Sequence, residues 1–100
     1  MKREAFIEKI VEEYEYSKLK GFANIVIVVE TALNIYYIND TEYGFQCDAF
    51  DCTFDDLADI AEELYDEIQG EILDIRIEWL YKIHSMKYSD GVNQACSLTQ

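Results

Sequence analysis

Nine carboxylates crowd the segment from residue 54 to residue 74, which contains no lysine and no arginine. Like charges three or four residues apart on a helix repel one another, at a cost of about 0.2–0.5 kcal/mol per pair. The arrangement therefore lowers stability unless a basic surface neutralises it. We take the segment as the candidate partner-binding site, with Asp55, Asp56, Asp59, Glu62, Glu63, Asp66, Glu67, Glu71 and Asp74 as its members.

The spacing of these acids suits a surface that normally binds a phosphate backbone. One helix would carry two neighbouring rows, Asp55, Asp59, Glu62 and Asp66 in the first and Asp56, Glu63 and Glu67 in the second. The first row would be about 16 Å long, at about 1.5 Å per residue. Its members would lie about 5–6 Å apart, a spacing comparable with that of successive phosphates. A groove lined with Lys and Arg would accept such a row in place of nucleic acid.

Patterns that could support catalysis or metal binding are sparse. His84 is the single histidine, and no nucleophile–base set can be assembled around it. Cys47 and Cys52 could recruit His84 or Cys96 to a zinc ion, but structural zinc ligands usually occur in pairs two to four residues apart. We therefore predict that the protein is not an enzyme and that it has no cofactor and no metal.

The net charge of −13 limits the possible partners. Residues 21–75 hold fourteen acids and no base, which excludes direct binding to nucleic acid, because such binding depends on Lys and Arg. The charge favours a basic protein partner, or serves solubility alone.

The start of the chain does not read as a secretory signal, the longest apolar run is too short for a bilayer, and three cysteines suggest reduced thiols. We expect a cytoplasmic protein in a bacterial host cell, either a monomer or a homodimer.

The elements that would position the acids follow from hydrophobic periodicity. Residues 4–19 predict an amphipathic helix with Phe6, Ile10 and Tyr14 in its apolar stripe. Residues 22–31, 34–39 and 43–50 predict three strands, with a turn at 39–42. The short links between them indicate an antiparallel meander.

A second helix is predicted from an N-cap at Thr53 through Gln69, with Gly70 ending it. Residues 71–87 fit a third helix, although 74–79 also alternate as a strand would; the length and the continuous helix formers favour the helix. The order α-β-β-β-α-α predicts one α+β domain over 1–100, with a three-stranded antiparallel sheet and the helices on one of its faces. We expect residues 1–88 to be ordered and residues 89–100 to form a flexible tail.

In element order and charge, the chain resembles the small acidic phage-encoded anti-CRISPR proteins of the αβββαα type. The resemblance is carried by the strand region 22–50, the acid-only segment 40–74 and the two predicted terminal helices, and by no sequence motif. It implies a DNA mimic that occupies the nucleic-acid-binding site of a Cas nuclease. The acids of the second helix, from Asp55 to Glu67, would face that site.

Two other functions fit the same residues. An immunity protein or antitoxin would use an acidic face and tyrosine anchors to block a basic toxin nuclease. An assembly protein would associate with itself through a strand edge or through the segment 71–87, on the apolar, tyrosine-rich side of the molecule.

Overall fold

The computed structural model describes residues 1–79 and 81–82 of the 100-residue chain. Their elements are α1 (Arg3–Leu19), β1 (Phe22–Ala23), β2 (Val26–Thr31), β3 (Ile35–Thr41), β4 (Gly44–Cys47), α2 (Leu57–Glu67), β5 (Ile72–Glu78) and β6 (Tyr81–Lys82). The predicted α+β class is confirmed. The predicted tail, residues 89–100, lies outside the described residues.

The main sheet is antiparallel, and its four strands follow the order β4-β3-β2-β5. β1 and β6 form a separate two-stranded ribbon. β2 is central in the main sheet, and its side chains Ile27, Val28 and Val29 are all fully buried. This burial explains the continuous β-branched run of β2, which has apolar residues on both faces of the strand.

Both helices pack on the same face of the main sheet. The buried core combines Phe6 and Ile10 of α1 with the apolar stripe of α2 and with one face of the sheet. The sheet contributes Ile27, Val29, Ile38, Cys47 and Ile75 to this core. The predicted placement of the helices on one face is therefore correct for α1 and α2.

The third helix predicted over 71–87 is wrong for residues 72–78, which form β5. Ile77 and Ile75 lie opposite Ile27 and Val29 of β2, and Arg76 lies opposite Val28. This alternation directs the isoleucines toward the helices, whereas a helical stripe would leave one flank of the apolar β2 unpaired. Long-range pairing with β2 decides the structure of the segment, and residues 83–87 lie outside the described part of the chain.

Several predicted boundaries also shift: the strand predicted over 22–31 divides into β1 and β2, and the strand predicted over 43–50 is shortened to Gly44–Cys47. Residues 39–41 continue β3, and the chain turns instead at Glu42 and Tyr43, just before Gly44 with its φ of 125°. The backbone of Phe54 bonds with Phe45 in both directions, at 2.7 and 2.8 Å, so the chain there is extended and Thr53 cannot cap α2. The predicted N-cap at Thr53 is therefore wrong, and the helix begins at Leu57 and ends at Glu67, before the predicted Gln69.

The second face of the main sheet carries polar and apolar side chains, and we call it the outer face. By strand register it presents Val26, Val28 and Glu30 of β2, Ile35, Tyr37 and Asn39 of β3, and Asp74, Arg76 and Glu78 of β5. α1 and α2 both lie on the opposite face, so neither of these helices covers the outer face.

Candidate acidic binding surface

The helix α2 turns one side to the core and the other to solvent. Its buried stripe consists of Leu57, Ile60, Ala61 and Leu64. The spacing of this stripe leaves Asp59, Glu63, Asp66 and Glu67 exposed on the remaining surface, with Glu62 half-buried beside them. The sequence thus fixes which side of the helix carries the charge, because the apolar positions can face only the core.

Arg3 neutralises part of this surface from the neighbouring helix. The guanidinium of Arg3 donates to Asp66, at 3.1 and 3.2 Å, and to Glu62 at 3.3 Å. The hydrogen bond to Asp66 is the main cause of the raised pKa of Arg3, and the charge of Glu63 makes a weaker contribution. Two carboxylates of the first predicted row, Glu62 and Asp66, are therefore already paired with the guanidinium of Arg3.

Three exposed carboxylates of α2, one from the first predicted row and two from the second, form no such ion pair among the described residues. Asp59, Glu63 and Glu67 repeat every four residues along α2, and no salt bridge among the described residues involves any of them. We call these three residues the free acidic row. It is about 12 Å long, at about 1.5 Å per residue, and every member is exposed.

The end of α2 is an unfavourable place for negative charge. The last turn contains Asp66 and Glu67 and no basic residue. A helix carries a partial negative charge at its C-terminus, so an exposed acid there lowers stability by about 0.3–1 kcal/mol. Arg3 relieves this effect at Asp66, but no described base does so at Glu67. Helix stability therefore does not explain why Glu67 is an acid.

Three further predicted site residues, Asp55, Asp56 and Glu71, lie at or beyond the ends of α2. Asp55 is exposed in the chain that leads into α2. Asp56 is the N-cap of the helix, and its carboxylate accepts a hydrogen bond from the backbone of Ala58 at 3.0 Å. Glu71 is exposed between α2 and β5, where its carbonyl accepts from Ala32 at 2.8 Å. Asp56 therefore has a structural role, in addition to its charge.

Asp74 does not belong to this surface, which corrects its inclusion in the predicted site. It lies on the outer face, on the other side of the sheet from α2, and it accepts from Arg76 at 3.0 Å. Arg76 also donates to Glu30 at 3.1 Å and to Glu78 at 3.5 Å. These bonds, Asp74 first and then Glu30, raise the pKa of Arg76. The Asp-x-Arg-x-Glu spacing signals this cluster only once the segment is read as a strand.

An exposed aromatic side chain lies in the turn next to the chain that leads into α2. Tyr43, in the turn between β3 and β4, is 77% exposed. The adjacent Gly44 lies against Thr53 and Phe54, which places Tyr43 near the residues that lead into α2. The acid pattern did not single out Tyr43 among the eight tyrosines. Exposed tyrosines are common anchors in protein interfaces.

The cysteines do not form a site in the described part of the chain. Cys47 is buried, its thiol donates to Asp48 at 3.6 Å, and burial raises its pKa to about 11, so it packs as a neutral thiol. Cys52 is exposed. Among the residues that the structure describes, no three potential metal ligands come together; His84 and Cys96 lie outside them.

One shallow cavity lies beyond the C-terminal end of α2. Its volume is about 280 Å³, and its lining comprises Met1, Tyr65, Ile68, Gly70, Glu71 and Ile72. The hydroxyl of Tyr65 donates to the carbonyl of Met1 at its rim.

Comparison of the chain with protein-family models, with curated proteins and with solved structures finds no match. Neither of the two described helices combines the length and the apolar composition that a bilayer crossing requires.

Proposed function

We propose that the protein is an inhibitor that binds a basic nucleic-acid-binding protein, in the first place a Cas nuclease, through the free acidic row. The observation that best supports this proposal is Glu67. It completes a row of exposed carboxylates, it has no salt bridge within the described chain, and it stands at the helix end where the dipole disfavours it. A basic partner would convert this unfavourable charge into binding energy.

The mechanism is competition for a phosphate-binding groove. Asp59, Glu63 and Glu67 would each take the place of one phosphate, and Asp55 would extend the surface beyond the helix N-terminus. Glu62 and Asp66 are already paired with Arg3, so they contribute less to a partner. Tyr43 would supply an aromatic anchor at one end, where an interface needs apolar contact area as well as charge.

The test is displacement of DNA from purified, guide-loaded Cas nucleases, measured by fluorescence polarisation at several salt concentrations. We expect the wild-type protein to release DNA and to lose potency steeply as salt rises, because the contacts are between exposed charges. The variant Asp59→Lys/Glu63→Lys/Glu67→Lys is expected to lose the effect completely.

A matched control distinguishes the effect of the free acidic row on inhibition from the effect of the total charge. Glu8, Glu12 and Glu15 are exposed on α1 and form no salt bridge in the described structure. The variant Glu8→Lys/Glu12→Lys/Glu15→Lys changes the net charge by the same amount and should inhibit as the wild type does. Equal inhibition by the wild type and both variants would mean that the free acidic row serves solubility and not binding.

A second assay, with the same variants, tests the alternative of an immunity protein. A bacterial toxin nuclease that needs no guide RNA replaces the Cas nuclease as the target, with cleavage of DNA or RNA as the measurement. If the protein inhibits the toxin nuclease but no Cas nuclease, and the row variant does not inhibit, the protein is an immunity protein. Either partner acts in the cytoplasm of a bacterial cell, which is the compartment that we propose.

A further inference from the structure

The two edges of the main sheet differ. On the β4 side, Phe54 pairs its backbone with Phe45, so a neighbouring segment occupies part of that edge. On the β5 side, no strand among the described residues pairs beyond β5. An edge strand of seven residues offers a row of backbone donors and acceptors to another chain.

The register identifies the backbone groups that face this edge. The carbonyl of Ile25 and the amide of Thr31 bond toward β3, so the odd-numbered residues of β2 direct their backbone groups to β3 and the even-numbered ones to β5. The partners of Val26, Val28 and Glu30 in β5 are Glu78, Arg76 and Asp74. The amides and carbonyls of the alternate residues, Ile75 and Ile77, therefore point to the open edge.

We propose that two copies of this chain pair through their β5 strands, antiparallel, with Ile75 on the two-fold axis. In this register the outward amide and carbonyl of Ile75 pair with those of Ile75 in the second copy. The two four-stranded sheets become one continuous sheet. Such self-complementary contacts are the usual basis of two-fold dimers.

Of the registers centred on Asp74, Ile75 and Arg76, only the one centred on Ile75 sets opposite charges against each other, and this self-complementarity makes a second copy the occupant. With Ile75 at the centre, Asp74 of each chain lies opposite Arg76 of the other, on the outer face. Moving the centre to Arg76 sets arginine against arginine, and moving it to Asp74 sets aspartate against aspartate. Opposite charges across a strand pair stabilise it, and like charges destabilise it.

Sedimentation equilibrium over a range of protein concentrations, at low and at high salt, tests the dimer. We expect the mass of one chain at low concentration and of two chains at high concentration. Salt should favour the dimer, because two chains of charge −13 repel each other at long range. This response is opposite to that of the acidic row, so each proposal can fail without the other.

Charge exchange tests the register. Asp74→Arg alone and Arg76→Asp alone each place like charges opposite one another, and each should weaken the homodimer about tenfold or more. Mixing the two variants restores opposite charges at both positions, so the mixture should dimerise as the wild type does. Circular dichroism verifies that each variant folds, and Glu12→Arg is the control for a charge change away from β5.

Three outcomes would overturn the proposal. The wild type could remain a single chain at all concentrations and salts, which would mean that the edge is covered within one chain. The dimer could persist in both single variants, or the mixture could fail to associate although both variants are folded.

Discussion

Gly44 shows how one residue fixes the turn that presents Tyr43. Its φ of 125° is in the region that favours glycine, and a Cβ at this position would lie 2.7 Å from the carbonyl oxygen of Phe54. That carbonyl accepts the hydrogen bond from Phe45 that occupies the β4 edge. The residue therefore links the β3–β4 turn to the chain that leads into α2.

Replacing Gly44 with alanine should lower the free energy of unfolding by about 2–4 kcal/mol, through backbone strain and a displaced hydrogen bond. Urea denaturation measures the change. Gly70→Ala is the matched control: Gly70 also has a positive φ, but its added Cβ would meet the flexible side chain of Leu33 at 3.2 Å. Equal losses for the two variants would contradict the importance of the Phe54 contact.

At the level of elements, α2 combines a well-formed start with an unfavourable end. Asp56 caps its N-terminus, whereas its last turn carries acids and no base. The helix is held in place by its buried stripe and by Arg3 of α1. Packing and the Arg3 ion pairs therefore stabilise the helix, whereas the charges of its last turn do not.

Glu67→Lys should raise the free energy of unfolding by about 0.3–1 kcal/mol, because it replaces an acid by a base at the helix C-terminus. The same substitution should weaken the inhibition proposed above. Glu12→Lys, in the middle of α1, makes the same change in net charge and should leave both quantities nearly unchanged. Thermal or urea denaturation gives the stability, and loss of stability in Glu67→Lys would contradict the dipole argument.

The elements that sequence could predict are those with a strong local period. The stripe of α1 was predicted with Phe6 and Ile10, and both are fully buried. The helix predicted over 71–87 is wrong for residues 72–78 because these residues fit both periods, and only pairing with β2 decides between them. The ion pairs of Arg3 with Glu62 and Asp66 join residues about sixty positions apart, so no spacing in the sequence signals them.

At the scale of the whole molecule, the charge is far from balanced. Two arginines, Arg3 and Arg76, hold five carboxylates between them, and Lys9 pairs with Glu13 within α1. Most of the other acids have no cation in the described structure. Repulsion among them opposes the compact state.

Added sodium chloride should therefore raise the free energy of unfolding, by on the order of 1 kcal/mol between low and moderate salt. The measurement is denaturation at a protein concentration where the chain is monomeric. The variant Asp59→Asn/Glu63→Gln/Glu67→Gln should gain less from salt, because part of the repulsion is already removed. A fall in stability with salt would mean that the arginine clusters outweigh the repulsion.

The pairing of β2 with β5 also sets the order in which the molecule can fold. β2 ends at Thr31 and β5 begins at Ile72, so forty residues must be looped before the two strands meet. Closing such a loop costs entropy that contacts between neighbouring strands avoid, so contact order predicts that β5 joins the sheet late. Until then one flank of the apolar β2 is open, in a chain whose intervening segment carries most of its acids. The same charge that we assign to partner binding thus keeps the unfinished sheets of different molecules apart.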